Sequence, residues 1–279
     1  MKRLVTVTGS RTSTLKHMLN HYKDLVDEMY VVVYEWEGKS LYESVNDIVS
    51  QFPTAKIVKR VYKEKFNWEY VTKLYNEIKM MYPDDWWIVS DDDEFHVYSK
   101  DLNTIIEECE SNGWVMVRGG FVDRIGRDGE FPELKEDVNI FEQFPLAGCF
   151  RYPLSNACPN KMCIMKGWVE ITPGQHYALI DGQTTWKWQG WNHPLIAPTN
   201  EYNVQVHHFK WDSTCVERIK AVADIKQDYA YSKEYQIMYD ALKSNNFKID
   251  IYDERFMIED VGVLGYSLWK VIFKIIQSV

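Results

Sequence analysis

Residues 84–98 read DDWWIVSDDDEFHVY. Their centre, Trp86–Ser90, is a short apolar run of the kind that forms a buried strand. Four acids, Asp91 to Glu94, follow it directly. Upstream, strand and helix signals alternate. Leu4–Thr8 is a β-branched run that ends at Gly9 and Ser10. Leu15, Met18, Leu19, Tyr22, Leu25 and Val26 recur at helical spacing. Met29–Tyr34 and Lys56–Tyr62 read as strands, and 41–52 and 68–81 as helices, the latter closed by Pro83. Near-continuous apolar strands separated by helices predict an α/β fold, with a mostly parallel sheet flanked by helices. In such sheets the ligand lies beyond the carboxyl ends of the strands, where the acids stand.

Downstream, a helix over 100–112 and a strand over 114–122 continue the pattern. Residues 125–211 carry seven of the nine Pro, half of the Gly and five of the eleven Trp, and read as loops and short strands. Val204–Trp211 is the last clear strand, and helices are expected over 213–226 and 229–243. The predicted organisation is a domain over 1–225 with a C-terminal helical extension over 226–279. The apolar tail 264–279 holds two lysines. It is expected to form a helix that packs back on the domain, or one that lies on a membrane or a partner. No stretch is apolar for long enough to span a bilayer.

The chain has 279 residues, 46 % of them hydrophobic and 26 % charged, which excludes a disordered protein. Its net charge of −9 argues against a polyanionic partner. That charge is unevenly spread. Residues 1–73 are net basic, residues 146–279 are neutral, and the acidity lies in the block between. Five cysteines and no evident leader lead to the expectation of reduced thiols in a cytoplasmic protein, host cytoplasm if the chain is viral. Cys158 and Cys163 lack a second pair, so no zinc site is expected.

Consecutive acids at a strand end are either a solvated turn or a site for a hard cation such as Mg²⁺ or Mn²⁺. If the segment is extended, Asp91 and Asp93 share a face. His207 and His208 end the last strand. Either is a candidate metal ligand or a buried, hydrogen-bonded histidine, and alternation sends them to opposite faces.

Taken in order, WWIVSDDDEFHVY, GGFVDRIGRDGEFPEL, FEQFP, NKMCIMKG with ITPGQHYAL, and VHHFKWDSTCVERIK resemble a group of GT-A fold glycosyltransferases related to the broad family-2 type. The resemblance spans about residues 84–220. It implies a Rossmann-like GT-A domain and a donor that is a nucleotide-diphosphate sugar, with a UDP-hexose expected. It also implies a Mn²⁺ or Mg²⁺ ion on Asp91 and Asp93, completed by His207 or His208. Asp92 would also face the donor. The family's Lys-Asn-Glu segment after the first strand is replaced here by Thr8 to Ser13. Thr8 and Gly9 remain suited to a nucleotide, and Arg11 to a phosphate. Lys161, Lys166 and Lys210 are candidates for the leaving diphosphate. An inverting enzyme needs a carboxylate base, for which Asp123 and Glu133 are the candidates. Both are alternatively surface acids or ion-pair partners, Asp123 with Arg124. His176, in the Pro-Gly-x-His word, either faces the substrates or braces its loop.

The implied reaction is hexosyl transfer to a glycan or a lipid-linked saccharide. A wall of Trp168, Trp186, Trp188 and Trp191, with Arg124, would form the acceptor side, unless the tryptophans pack in the core. A second reading is transfer to hydroxymethylated pyrimidines of viral DNA. Lys59 and Lys63, among Lys56, Arg60, Lys65 and Lys73 with interleaved aromatics, would hold that acceptor. A third is a Ca²⁺-dependent sugar-binding module that uses 91–94.

Overall fold

A computed structural model describes the chain except for residues 10, 37, 39, 181, 185–192, 226–229 and 262–279. Its elements run β1 (Lys2–Thr8), α1 (Leu15–Tyr22), β2 (Glu28–Trp36), α2 (Tyr42–Val49), β3 (Ala55–Lys63), α3 (Trp68–Lys79), β4 (Trp86–Val89), β5 (Glu94–Tyr98), α4 (Leu102–Asn112) and β6 (Met116–Ile125). Then come α5 (Ile140–Gln143), β7 (Leu146–Gly148), α6 (Arg151–Ser155), β8 (Asn160–Lys166), β9 (Glu170–Ile171), β10 (Ala178–Ile180), β11 (Gln183–Thr184), β12 (Val204–His208), α7 (Cys215–Ala223), α8 (Ala230–Ser244) and β13 (Glu259–Asp260). The chain divides into two compact units. The first holds Met1–Gly120 with Asn160–Val206, and the second Phe121–Pro159 with His207–Val279.

In the first unit, β3, β2, β1 and β4 are neighbours in that order and run parallel. This is the α/β fold the apolar strands predict. Every residue of β2 after Glu28 is buried, as a strand covered on both faces must be. Helix α3 packs Leu74, Tyr75 and Ile78 into a core with Val5, Val32, Trp87 and Val89. Asn67 caps its start by accepting the Tyr70 N–H. Beyond β4 the direction changes: β8 pairs antiparallel with β4, and the first half of β6 pairs antiparallel with β8. β8 therefore has a central place inside a region that composition reads as loops. Its segment NKMCIMK lacks strict alternation, although Pro159 and Gly167 bound it. A Cβ on Gly119 of β6 would lie 2.1 Å from the Val204 carbonyl oxygen, so only glycine permits this approach.

In the second unit, the last residues of β6 pair antiparallel with β7, and β7 with β13. Ile125, Phe150, Trp211, Ile219, Met238, Leu242 and Phe256 form its core. Helices α7 and α8 fall where the sequence predicts two helices. All five cysteines are free thiols. Among the described residues no helix is long and apolar enough to cross a membrane. The tail 264–279 lies outside the described residues.

Candidate active site

The strand order fixes where a ligand belongs. The chain winds outward from β1 to β2 and β3, then returns to the other side of β1 as β4. Crossovers diverge between β1 and β4, which makes their carboxyl ends the switch point of the sheet. Thr8 ends β1 at this point, with Arg11 just beyond it, and the acids follow β4.

The acids form a turn and not an extended strand: the Glu94 N–H donates to the Asp91 carbonyl at 3.0 Å. The alternation expected of Asp91 and Asp93 therefore does not apply, because the chain must reverse into β5. Each acid is engaged by side chains of the same unit. Asp91 Oδ1 accepts the Tyr75 hydroxyl at 2.7 Å and Gln175 Nε2 at 3.3 Å, and Oδ2 faces Lys161 Nζ at 3.3 Å. Asp92 accepts the Thr8 hydroxyl at 2.6 Å, and Asp93 pairs with Arg11 Nη2 at 2.9 Å. Glu94 is buried, receives Lys161 at 2.6 Å and accepts the Asp91 N–H at 3.1 Å. The turn is thus held by two cations, Lys161 on Asp91 and Glu94, and Arg11 on Asp93.

The electrostatics follow. Burial alone would raise the Asp91 carboxyl, but the Lys161 ammonium and the Tyr75 hydrogen bond outweigh it and hold it below the usual range. Burial would likewise lower Lys161, but Asp91 and Glu94 keep it above its ordinary value. Asp92 has weaker help: burial and the neighbouring Asp93 push it up to about 7.

His176 Nδ1 bonds the Asn160 carbonyl at 2.7 Å, which braces the Pro173–Gln175 turn. That turn delivers Gln175 to Asp91. The sequence singles out the glycine and the histidine of this word but not the residue between them. It also reads Tyr75 only as a helical position, and Glu94 only as one acid of four. The one sequence signal for Glu94 and Lys161 is that two buried strands each end or begin in charge. Gly9 lends its carbonyl to Trp36 Nε1 at 3.0 Å.

The remaining expected residues belong to the second unit or to the surface. Asp123 is 1 % exposed. Its Oδ2 accepts the N–H groups of Phe150 and Arg151 at 3.1 and 2.9 Å, and its Oδ1 accepts Trp211 Nε1 at 3.0 Å. His208 Nδ1 stands 3.4 Å from the same oxygen. Burial would raise this carboxyl, but His208 and the N–H donors hold it low. Arg124 gives Nε to His207 Nδ1 at 3.0 Å and Nη1 to the Phe144 carbonyl at 3.1 Å. The two histidines thus turn to different partners, as alternation requires. Lys210 donates to the Tyr235 hydroxyl at 2.8 Å, and Lys166 bonds the Asp84 carbonyl at 3.0 Å. Glu133 is exposed. Lys59 pairs with Glu77 at 2.6 Å, and Lys63 Nζ lies 4.2 Å from the Tyr70 ring centre. Trp168 is exposed, which removes it from the core. Trp186, Trp188 and Trp191 lie outside the described residues.

Among the described residues no group of three or more His, Cys, Asp or Glu side chains is arranged to hold a metal ion. The turn does present hard oxygen donors. Mg²⁺ commonly takes one or two carboxylates and completes its shell with water and substrate phosphate. Asp91 and Asp93 fit that use, with Asp91 about a third exposed.

No family model matches the chain, and no curated protein matches it. Solved structures that resemble it include 4-diphosphocytidyl-2C-methyl-D-erythritol synthase, at 12 % identity over 60 % of this chain and 75 % of that one, with a TM-score of 0.34. Mannose-6-phosphate isomerase from Helicobacter pylori has 12 % identity, 60 % and 71 % coverage and a TM-score of 0.32. S. aureus TarS 1–349 in complex with UDP has 14 % identity, 91 % and 77 % coverage and a TM-score of 0.35. Likeness at this level assigns neither family nor activity.

Proposed function

We propose that this protein is a GT-A type glycosyltransferase that moves a hexose from a nucleotide-diphosphate sugar, UDP-hexose first among the candidates, to an acceptor hydroxyl. The observation that carries this reading is the joining of two loops at the sheet's switch point. Thr8, the last residue of β1, and Arg11, just beyond it, bond Asp92 and Asp93, after β4. A nucleotide crossing that point meets hydroxyl and backbone groups on one side and a charged turn on the other. The ordered motifs over residues 84–220 add the resemblance to the family.

The reaction breaks the bond from the sugar's anomeric carbon to the diphosphate and forms one to the acceptor oxygen. Negative charge develops on the leaving diphosphate, so cations aimed there lower the barrier. The chain's own candidates for that charge are Arg11 and Lys161, which the carboxylates of the turn already engage. A Mg²⁺ or Mn²⁺ ion held by Asp91 and Asp93 would add Lewis-acid stabilisation of the same group. Asp123 is committed to four neighbours and suits a structural role better than that of a base. Glu133 is the candidate for the acceptor's proton if the enzyme inverts.

A saccharide acceptor is favoured over DNA by the state of the basic stretch. Lys56, Lys59 and Arg60 pair with Glu28, Glu77 and Glu35. These three charges are met within the fold, which weakens the stretch as a phosphate site.

A panel of UDP-, GDP- and TDP-sugars, incubated with simple saccharides or hydroxymethylated duplex DNA and read by mass spectrometry, tests the reading. A hexose added to a saccharide, and lost in Asp93→Ala, is the expected result. Transfer to DNA would replace the acceptor assignment. A calcium-dependent sugar affinity without turnover would replace the enzyme.

A further inference from the structure

Gln175 stands out in the first unit because three independent features meet on it. It is a non-glycine residue with φ of +54°, a conformation that costs an L-residue energy and persists only where its surroundings demand it. It is 2 % exposed. Its side chain reaches the catalytic turn, where Nε2 donates to Asp91 Oδ1 at 3.3 Å.

The orientation of the amide is set by its partner. The amide nitrogen donates to Asp91 Oδ1, so Oε1 turns away from it. Oε1 is buried and accepts no hydrogen bond from the described residues. A buried acceptor without a donor is unfavourable, and in a binding site that cost is recovered when the ligand brings the donor. Phosphate oxygens at neutral pH cannot serve. A hydroxyl can. The main chain holds this arrangement, since the Gln175 N–H donates to the Thr172 carbonyl at 2.9 Å. His176, next in the chain, is tied to the Asn160 carbonyl.

We propose that Gln175 Oε1 accepts a hydrogen bond from a hydroxyl of the donor hexose, so that Gln175 reads the sugar beside the acid turn. This rests on the glycosyltransferase reading above. The residue at this position then sets which sugar is accepted, because a site built to receive a hydroxyl rejects a donor that lacks it.

The test compares UDP with UDP-glucose by calorimetry in the wild type, Gln175→Met and Gln175→Glu, with thermal melts alongside. In the wild type the sugar should add affinity beyond UDP. Gln175→Met, similar in length but without the acceptor or the Nε2 donor to Asp91, should change UDP affinity much less than UDP-glucose affinity. It should bind UDP-glucose about five- to tenfold more weakly, the size of one lost hydrogen bond. Gln175→Glu places a second carboxylate on Asp91 and should weaken both ligands. A panel of UDP-glucose analogues, each lacking one hydroxyl, repeats the measurement on the unaltered protein. One of them should lose the same factor. If UDP and UDP-glucose fall together in Gln175→Met, the contact is to the nucleotide, and the inference fails while the function stands. It fails equally if no single deoxy-sugar is discriminated. If neither UDP, GDP nor TDP binds the wild type, the glycosyltransferase reading fails first and takes this contact with it.

Discussion

The Tyr75 hydroxyl, on helix α3, donates to Asp91 Oδ1 at 2.7 Å and accepts the Val7 N–H at 3.1 Å, so one phenol ties the ends of β1 and β4 together. Burial and the Asp91 charge raise its pKa well above the usual value, so it remains a donor at any working pH. Tyr75→Phe keeps the ring in the core and removes only the oxygen. The expected loss is about 1–2 kcal/mol of stability, from one charge-assisted bond and one orphaned N–H. Donor binding should weaken as well. Tyr22→Phe is the control. Tyr22 is equally buried and donates to the Glu94 carbonyl without touching Asp91. Chemical denaturation and donor titration of both variants check this. Equal loss of donor affinity in the two would deny Tyr75 a specific role.

Lys161 sits 1 % exposed between two carboxylates. Removing one member of a buried ion pair strands the other, at about 3–5 kcal/mol. Lys161→Met should lose stability on that scale, and Lys161→Met with Glu94→Gln should regain part of it. Urea unfolding of the two variants decides the matter. No recovery in the double variant would mean that the lysine acts by packing.

Lys79 is fully buried on α3, where its ammonium reaches the Val169 carbonyl, and burial lowers its pKa to about 7. Its folded pKa lies below its unfolded value of 10.5. The unfolded chain therefore binds the extra proton between about pH 7 and 10.5, and stability should rise with pH across that window. Below pH 7 the folded protein carries the full cost of a buried charge. Lys79→Met should accordingly gain on the wild type most below pH 7, and the gap should close towards pH 10. Melting both proteins across that range tests the sign.

Asp123 fastens the start of α6 to Trp211 through N–H donors from Phe150, Arg151 and the indole. Asp123→Ala should cost about 2–4 kcal/mol and disturb the Trp211 fluorescence, because it leaves buried donors without acceptors. A variant that kept its stability and lost only turnover would restore Asp123 as a catalytic base.

Much of this was legible in the chain itself. The runs VVVY and WWIV, each apolar throughout, required buried parallel strands, and the helical spacing between them supplied the crossovers. The acids after Ser90 marked the ligand end because carboxylates cannot continue a buried strand. Less was legible in the second half. β8 lacks a periodic signature because both of its faces are covered, and its charged residue, Lys161, is buried by pairing, which a hydropathy pattern does not register. The basic stretch from Lys56 to Lys65 suggested a polyanion site. Its partners Glu28, Glu35 and Glu77 lie far along the chain or on another element, so only folding revealed the compensation.

The sequence by itself determined the alternating α/β order, the place of the acid turn at the end of β4 and the family resemblance, because periodicity and strand termini are local properties. The tertiary structure alone decided what each acid touches. Tyr75, Lys161 and Gln175 stand 16, 70 and 84 residues from Asp91. They meet it because β4 lies beside β1 and β8, and because α3 and the Pro173–Gln175 turn belong to the same unit. Contacts at that separation depend on the closure of the sheet and leave no mark on the residues around them.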